Sequence, residues 1–529
     1  MFRWEFPYPS QRMPVCARNV VASSQPLAVQ AGVDALKRGG NAVDAALATA
    51  IALTVVEPCN NGVGSDAFAI VWDGKKLHGL NASGRAPRGW LRERFAQRAT
   101  MPDLGWDAVT VPGAVSAWAA LSGRFGRLPF ERLFDAARDY AHNGFPVGPK
   151  TAYYWHFARE RFAEFPDFLA HFVPGGRAPE PGEVFRRPEL VATLTEIAES
   201  RGESFYRGKL AARIAACSRA AGGALDEEDL GRHAANWVEP IRQPYRGVAL
   251  HEIPPNGQGL AAQIALGILA HHDLGSLEPD SEQAMHLSIE AMKIAIRAAA
   301  EHFADPAAMR VAPQELLGEE RLAALAKSIG ERAATTPLPV LPTGPDTVYL
   351  AAADADGTMV SMIQSNYQGF GSGIVIPGTG IAMQNRGRGF VLDPAHPNCV
   401  GPGKRPYHTI IPGFVTDADG ARMAFGVMGG PMQHQGHVQM VTRIFDHGQN
   451  PQAASDAPRW HVWNARDAFG VAVEAAFPAD VARALERRGH RIQVDTREGL
   501  FGGAQLIYRA RDAYVAGSDH RKEGQAAGY

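Results

Sequence analysis

Chemistry in this sequence concentrates at three places: Thr347 in PDTVYLAAAD, the glycine pair Gly429-Gly430 in VMGGPMQHQGH, and Arg85 in SGRAP. A threonine hydroxyl is a weak nucleophile until a base takes its proton. If the chain were cut before Thr347, the new α-amine, with a pKa of about 7.7–8.0, would supply that base from the same residue. The plainer reading is a strand-opening threonine with good β-propensity. Two glycines ahead of a helix let backbone N–H groups approach a substrate closely, as an oxyanion hole requires, or simply form a structural turn. An arginine just past a strand end is either a surface ion-pair partner or a planar fork for a substrate carboxylate.

The elements around these residues are legible. Val348–Ala353 and Met359–Asn366 alternate about the turn signal Asp354–Gly357, which predicts a β-hairpin opened by Thr347. Ahead of it, residues 331–346 read ERAATTPLPVLPTGPD, with four prolines and no helical period, a linker suited to a cleavable bond. Met423–Val427 is a strand running into Gly429-Gly430, and a helix is expected from about Gln433 to Phe445. Helical periodicity also covers Gln25–Arg38, Asn41–Glu57, Leu260–Leu269, Glu282–Phe303 and Pro313–Gly330, whereas Tyr154–Pro188 reads as a long surface excursion and AAGY as a polar tail. GFGSG precedes a strand and a Pro-Gly turn rather than a helix, which excludes a dinucleotide loop. His434 and His437 lie three apart with no third ligand at a matching spacing, so no metal is expected.

Over 529 residues, 53 basic side chains balance 55 acidic ones, giving a net charge of −2 and no reason to expect nucleic acid or an anionic membrane as partner. Cys16, Cys59, Cys217 and Cys399 are scattered, as in a reduced cytosolic protein. The first residues lack the apolar core of a secretory signal, and Ala45–Val56 is too short to span a bilayer. A cytoplasmic location without a membrane anchor is expected.

Taken in order, GGNAVDAALA, SGRAP, TVPGAV, FYRGKLAARIA, ALDEEDL, PPNGQG, DTVYLAAAD, GFGSGI, GKRP, MGG and the final AAGY resemble the γ-glutamyltransferase family of N-terminal-nucleophile hydrolases across almost the whole chain. The resemblance implies an α/β chain folded as a four-layer αββα sandwich. It further implies a proenzyme that cuts itself between Asp346 and Thr347 into a large chain, 1–346, and a small chain, 347–529, which remain one intertwined heterodimer able to pair again. Thr347 would be the nucleophile, Gly429 and Gly430 the oxyanion donors, Arg85 the carboxylate-binding arginine, and Asn366 a lining residue of the acyl pocket. No cofactor is implied.

Four departures bear on substrate. Gly389 stands where members that bind a glutamyl α-amine carry an acidic residue. Tyr407-His408-Thr409 replaces a pair of serines, and Arg386 stands where a neutral amide is usual. The segment 391–403 is also shorter than the usual lid. Arg386, His408 and Thr409 are therefore expected to line a pocket for a carboxylate without an α-ammonium, as in the branch that includes oxamate amidohydrolase. The alternatives are γ-glutamyl hydrolysis or transfer, an acylase for dicarboxylic side-chain amides, and an inert binding homologue.

Overall fold

In the computed structural model the described residues are 12–336, 346–465, 468–497 and 499–529. Two seven-stranded sheets, antiparallel throughout, lie face to face. One runs in the order Gln525–Gly528, Val20–Ser23, Asp346–Ala353, Met359–Tyr367, Asp66–Trp72, Leu77–Ala82, Asn236–Val238. The other runs Val15–Ala17, Tyr514–Ser518, Gly503–Arg509, Gly420–Met428, Gly413–Asp417, Val248–Glu252, Ile241–Tyr245.

Alternation along the strand that contains Thr347 shows how the layers form. Val348, Leu350 and Ala352 enter the core beneath helices Pro26–Lys37 and Ala42–Val56, while Tyr349, Ala351 and Ala353 enter the core between the sheets with Phe68, Ile363, Phe414 and Ile507. Helices Gly259–Leu269, Glu282–His302 and Met432–Phe445 share a third core with the inner strand Gly420–Met428, completing the αββα order. The small-residue helix suits its site. Every residue from Ala42 to Val56 is buried, and Asn41 caps it by accepting from Val43 and Asp44 N–H while Asp44 accepts from Asn41 N–H.

Three expectations need correction. Tyr154–Pro188 is not a surface excursion: it holds helices Pro149–His156 and Pro166–Phe172, and Phe162, Phe168 and Phe172 are buried around Phe370. Its aromatic spacing was core spacing interrupted by prolines. Pro313–Gly330 is split at Gly318 into Pro313–Leu316 and Glu319–Lys327. The AAGY tail forms an edge strand on Val20–Ser23, because its backbone can pair whatever its side chains. The proline-rich approach at 337–345 lies outside the described residues; the segment just before it is held by buried groups. His286 Nε2 contacts Gly330 O at 2.8 Å, Lys293 Nζ donates to Ala334 O at 3.2 Å and to Glu290 at 2.7 Å, and Glu290 accepts Ala334 N–H at 3.0 Å.

Among the described residues no helix is long and apolar enough to cross a membrane. Burial pushes many histidines down, among them His171, His233, His434 and His490 to about 3 and His251 and His461 to about 4. Below pH 6.5 the unfolded chain therefore takes up protons that the folded chain refuses, and stability falls with falling pH by up to ~1.4 kcal/mol per unit for each ring, less where a ring is part-exposed, as His251 is. Glu57 and Asp66, which burial raises to about 7, act in the opposite sense over the same window. The histidines outnumber them. Thermal unfolding followed by circular dichroism is expected to move down steeply between pH 6.5 and 4.5; a flat or rising midpoint would mean the rings are not held neutral.

Candidate active site

Thr347 is 1% exposed and sits at an irregularity in the hairpin: Asp346 pairs with Tyr367 and Val348 with Gln364, with a register shift between them. The strand is continuous through the Asp346–Thr347 peptide, so the structure is that of the uncut chain. Opposite the bulge, Ser365 Oγ accepts the Thr347 hydroxyl at 3.2 Å and Tyr367 N–H at 2.8 Å. Tyr367 and Phe370, neither of them glycine, have φ of 80° and 58°. Such backbone costs on the order of 1–3 kcal/mol per residue and persists where surrounding contacts fix it, commonly at sites of function.

The glycine pair is brought to the same place. Strand Gly420–Met428 ends directly before Gly429 (φ 123°) and Gly430 (φ 55°), and helix Met432–Phe445 starts after Pro431, its N-cap. A Cβ on Gly429 would lie 2.9 Å from Gly502 Cα, so close backbone approach as well as φ requires glycine. Among the described residues neither glycine N–H donates to a backbone acceptor outside the regular elements. Gln433, three residues on, places its Nε2 3.5 Å from Thr347 Oγ1, which puts this turn beside the hydroxyl.

Gln258, from PPNGQG, ties the turn to the 407–409 segment. Its Nε2 donates to the carbonyls of Thr409 and Gly430, and its Oε1 accepts from Tyr407 Oη at 2.8 Å and His434 Nδ1 at 2.9 Å. PPNGQG also pairs with the 406–409 segment, His408 N–H donating to Asn256 O at 2.9 Å and Gln258 N–H to His408 O at 3.0 Å. His437 Nδ1 lies 2.6 Å from Glu252 Oε1, a carboxylate that sequence spacing could not reveal. His434 and His437 are therefore each bound to a side chain from elsewhere in the fold.

Asp66, buried at the start of its strand, gathers three motifs. Its Oδ1 accepts Gly84 N–H of SGRAP at 3.2 Å and Gly113 N–H of TVPGAV at 3.1 Å, and its Oδ2 lies 3.1 Å from His408 Nε2. Ile410 N–H points at His408 Nδ1 at 3.4 Å, so Nε2 carries the proton and donates to Asp66. Burial, with Arg386 and Arg405 nearby, pushes His408 well down and keeps it neutral. A Cβ on Gly84 or Gly113 would come within 1.5 Å of Val111 O or Ala82 O, which is why both motifs centre on glycine.

Arg386 is fully buried. Its Nη1 donates to Thr409 Oγ1 at 2.8 Å, its guanidinium lies 4.3 Å above the Tyr367 ring, and its Nε is 4.0 Å from Asp66 Oδ2. Burial lowers its pKa to about 10, leaving it cationic near neutral pH. Among the described residues its Nε and Nη2 have no hydrogen-bond partner, and neither has Asn366 Nδ2, whose Oδ1 accepts from Ser65 Oγ at 2.8 Å. Asn366 also accepts Asn385 N–H on its carbonyl, one residue before Arg386. Arg85 is different: its side chain is 49% exposed, paired with Asp305 at 3.3 Å and with Gly403 O at 2.9 Å. Position 389 has no room for an acidic side chain, because a Cβ there would sit 2.5 Å from Tyr407 O.

Of the residues singled out from sequence, Thr347, Gly429 and Gly430 stand beside one another, Asn366, Arg386, His408 and Thr409 form one buried polar set joined to them through Gln258, and Arg85 stands at the solvent side. Ser365, Asp66 and Gln433 were missed. Hairpin register could have found Ser365; the other two join through long-range contacts without a local signal.

The sequence matches the family described as Gamma-glutamyltranspeptidase over residues 28–529. It is 36% identical to the glutathione hydrolase-like YwrD proenzyme of Bacillus subtilis (97% of this chain, 98% of that one) and 36% identical to the oxamate amidohydrolase proenzyme of Klebsiella pneumoniae (97% and 99%). The fold superposes on the crystal structure of cephalosporin acylase from Bacillus halodurans with a TM-score of 0.96 and 50% identity, covering 100% of this chain and 99% of that one. The chain belongs to the gamma-glutamyltranspeptidase family, with the fold of its N-terminal-nucleophile hydrolases.

Proposed function

We propose that this chain is a self-processing amidohydrolase whose acyl substrates carry a carboxylate and no α-ammonium. Thr347 Oγ attacks the Asp346 carbonyl carbon, the C–N bond breaks as the nitrogen takes a proton, and water then splits the ester. Large chain 1–346 and small chain 347–529 remain a heterodimer. In turnover the Thr347 amine takes the Oγ proton and passes it to the leaving amine, while Gly429 and Gly430 N–H groups hold the oxyanion. Water completes the cycle. Proenzyme names among the relatives support the cut, and the contact of Thr347 with Ser365 supports the nucleophile. The scattered placement of Cys16, Cys59, Cys217 and Cys399, at no disulfide-framework spacing, favours the cytoplasm.

One observation carries the substrate reading: Arg386 is a fully buried cation whose Nε and Nη2 have no hydrogen-bond partner among the described residues, it is bonded to Thr409, and the residue before it is bonded through its backbone to Asn366, whose Nδ2 likewise has no partner among them. Burying such donors unpaired is unfavourable by roughly 1–3 kcal/mol each, more for a charged group, and a substrate carboxylate would satisfy them. Oxamate is the smallest amide that fits. A longer dicarboxylic half-amide is the second reading, favoured by the 50% identity to a cephalosporin acylase. The test compares oxamate, glutaryl-p-nitroanilide and γ-glutamyl-p-nitroanilide. One of the first two is expected to exceed the γ-glutamyl anilide in kcat/KM by about tenfold or more, the loss expected when a substrate ammonium finds no counter-charge. A γ-glutamyl preference would reject the carboxylate-only pocket.

A further inference from the structure

Among the described residues, Ser365 and Gln433 are the side chains within hydrogen-bond reach of Thr347 Oγ1, and the orientation of Gln433 is determined. It is fully buried in the first turn of helix Met432–Phe445. Ile411 N–H donates to its Oε1 at 3.0 Å, so the amide cannot be turned over without setting two donors against each other, and Nε2 must face Thr347. The Thr347 proton points to Ser365, which leaves an Oγ lone pair toward Gln433. The 3.5 Å separation is long for a neutral hydroxyl, and contacts of this kind tighten when the acceptor gains charge.

We infer that Gln433 is a catalytic residue that stabilises Thr347 Oγ as it leaves, an assignment that rests on the N-terminal-nucleophile reading. A donor to Oγ does not favour attack, since it draws density from the nucleophile. It favours the reverse motion. When water adds to the ester carbonyl, the new C–O bond forms, water's proton goes to the Thr347 amine, the C–Oγ bond breaks with its electron pair on Oγ, and the ammonium returns a proton to Oγ. Negative charge on Oγ peaks in that collapse, where the Gln433 N–H is aimed. The same collapse ends self-cleavage, when the ester between Asp346 and Thr347 is hydrolysed.

Processing tests this without a substrate. Purified uncut chain of wild type, Gln433→Met and Gln433→Glu is followed on denaturing gels with and without hydroxylamine, which cleaves esters. Gln433→Glu keeps the acceptor for Ile411 N–H and so separates folding from donation to Oγ. Both variants are expected to split about tenfold or more slowly than wild type, less than the ~10²–10³ of a full oxyanion donor. Hydroxylamine should restore the split, with intact mass placing the hydroxamate on Asp346. Splitting at the wild-type rate in both variants would overturn the assignment. So would slow splitting in Gln433→Glu that hydroxylamine does not restore, because no ester would then be waiting. A wild-type chain that never splits would overturn the nucleophile reading itself, and Gln433's role with it.

Discussion

Thr347→Ala is expected to give one full-length band on a denaturing gel, unchanged on prolonged incubation, and to lose nearly all amide hydrolysis. Wild type should resolve into fragments 1–346 and 347–529. Two losses coincide in this variant. Without Oγ there is no ester at Asp346, so the α-amine that serves as base is never released; supplied as a separately expressed fragment beginning with alanine, the amine would still have no hydroxyl to activate. What survives of turnover should be no more than the residual catalysis of a bare oxyanion site, roughly 10³–10⁴ over water. Folding should be little affected, because the contacts of the Thr347 hydroxyl among the described residues are long, Ser365 at 3.2 Å and Gln433 Nε2 at 3.5 Å, within a strand paired on both sides. Thr347→Ser, which keeps the hydroxyl, should process and turn over. An alanine variant that still splits at 346/347 would remove self-processing, and a wild-type chain that is inert on every amide would leave a binding homologue.

How much of this could be read from residues alone follows from the range of the interactions. The hairpin carrying Thr347 was legible because alternation and a turn signal are local; its strands extend to Asp346 and Tyr367, slightly beyond the expected bounds. Asn41 and Gln25 were readable as helix starts for the same reason, and both side chains do cap. Arg386 was legible as a departure from the family pattern, but its burial against Tyr367 and Thr409 was not, since those contacts come from three separate segments. Asp66 gave no signal: one aspartate before an apolar run reads as a strand edge until the fold sets Gly84, Gly113 and His408 around it. Gln258 lay in a motif that was noticed, yet its task of joining Gly430 to Thr409 and Tyr407 depends on two loops meeting. Patterns of period two or 3.6 survive in sequence, and polar hubs whose partners are far along the chain do not.

Arg386→Met should cut kcat/KM for the carboxylate-bearing amide by about 30- to 5,000-fold, the range for losing one partner of a desolvated charge pair, 2–5 kcal/mol. Methionine keeps the unbranched apolar stem and its packing on Tyr367, so the change is chiefly one of charge and donors. The competing interpretation is that Arg386 merely balances Asp66. Their separation of 4.0 Å argues against a tight pair, as does Asp66, which burial raises to about 7 despite Arg386. The decisive measurement is a ratio. For oxamate against the neutral amide of the same size, isobutyramide, the wild-type preference should collapse in Arg386→Met while the slow neutral reaction stays within about twofold, because a group that reads only the carboxylate adds nothing when none is present. Arg85→Ala should lower the same ratio less, since that guanidinium is half exposed and already shared with Asp305. Equal loss on both amides in Arg386→Met, with a lowered unfolding midpoint, would assign Arg386 to the fold and return the carboxylate to Arg85.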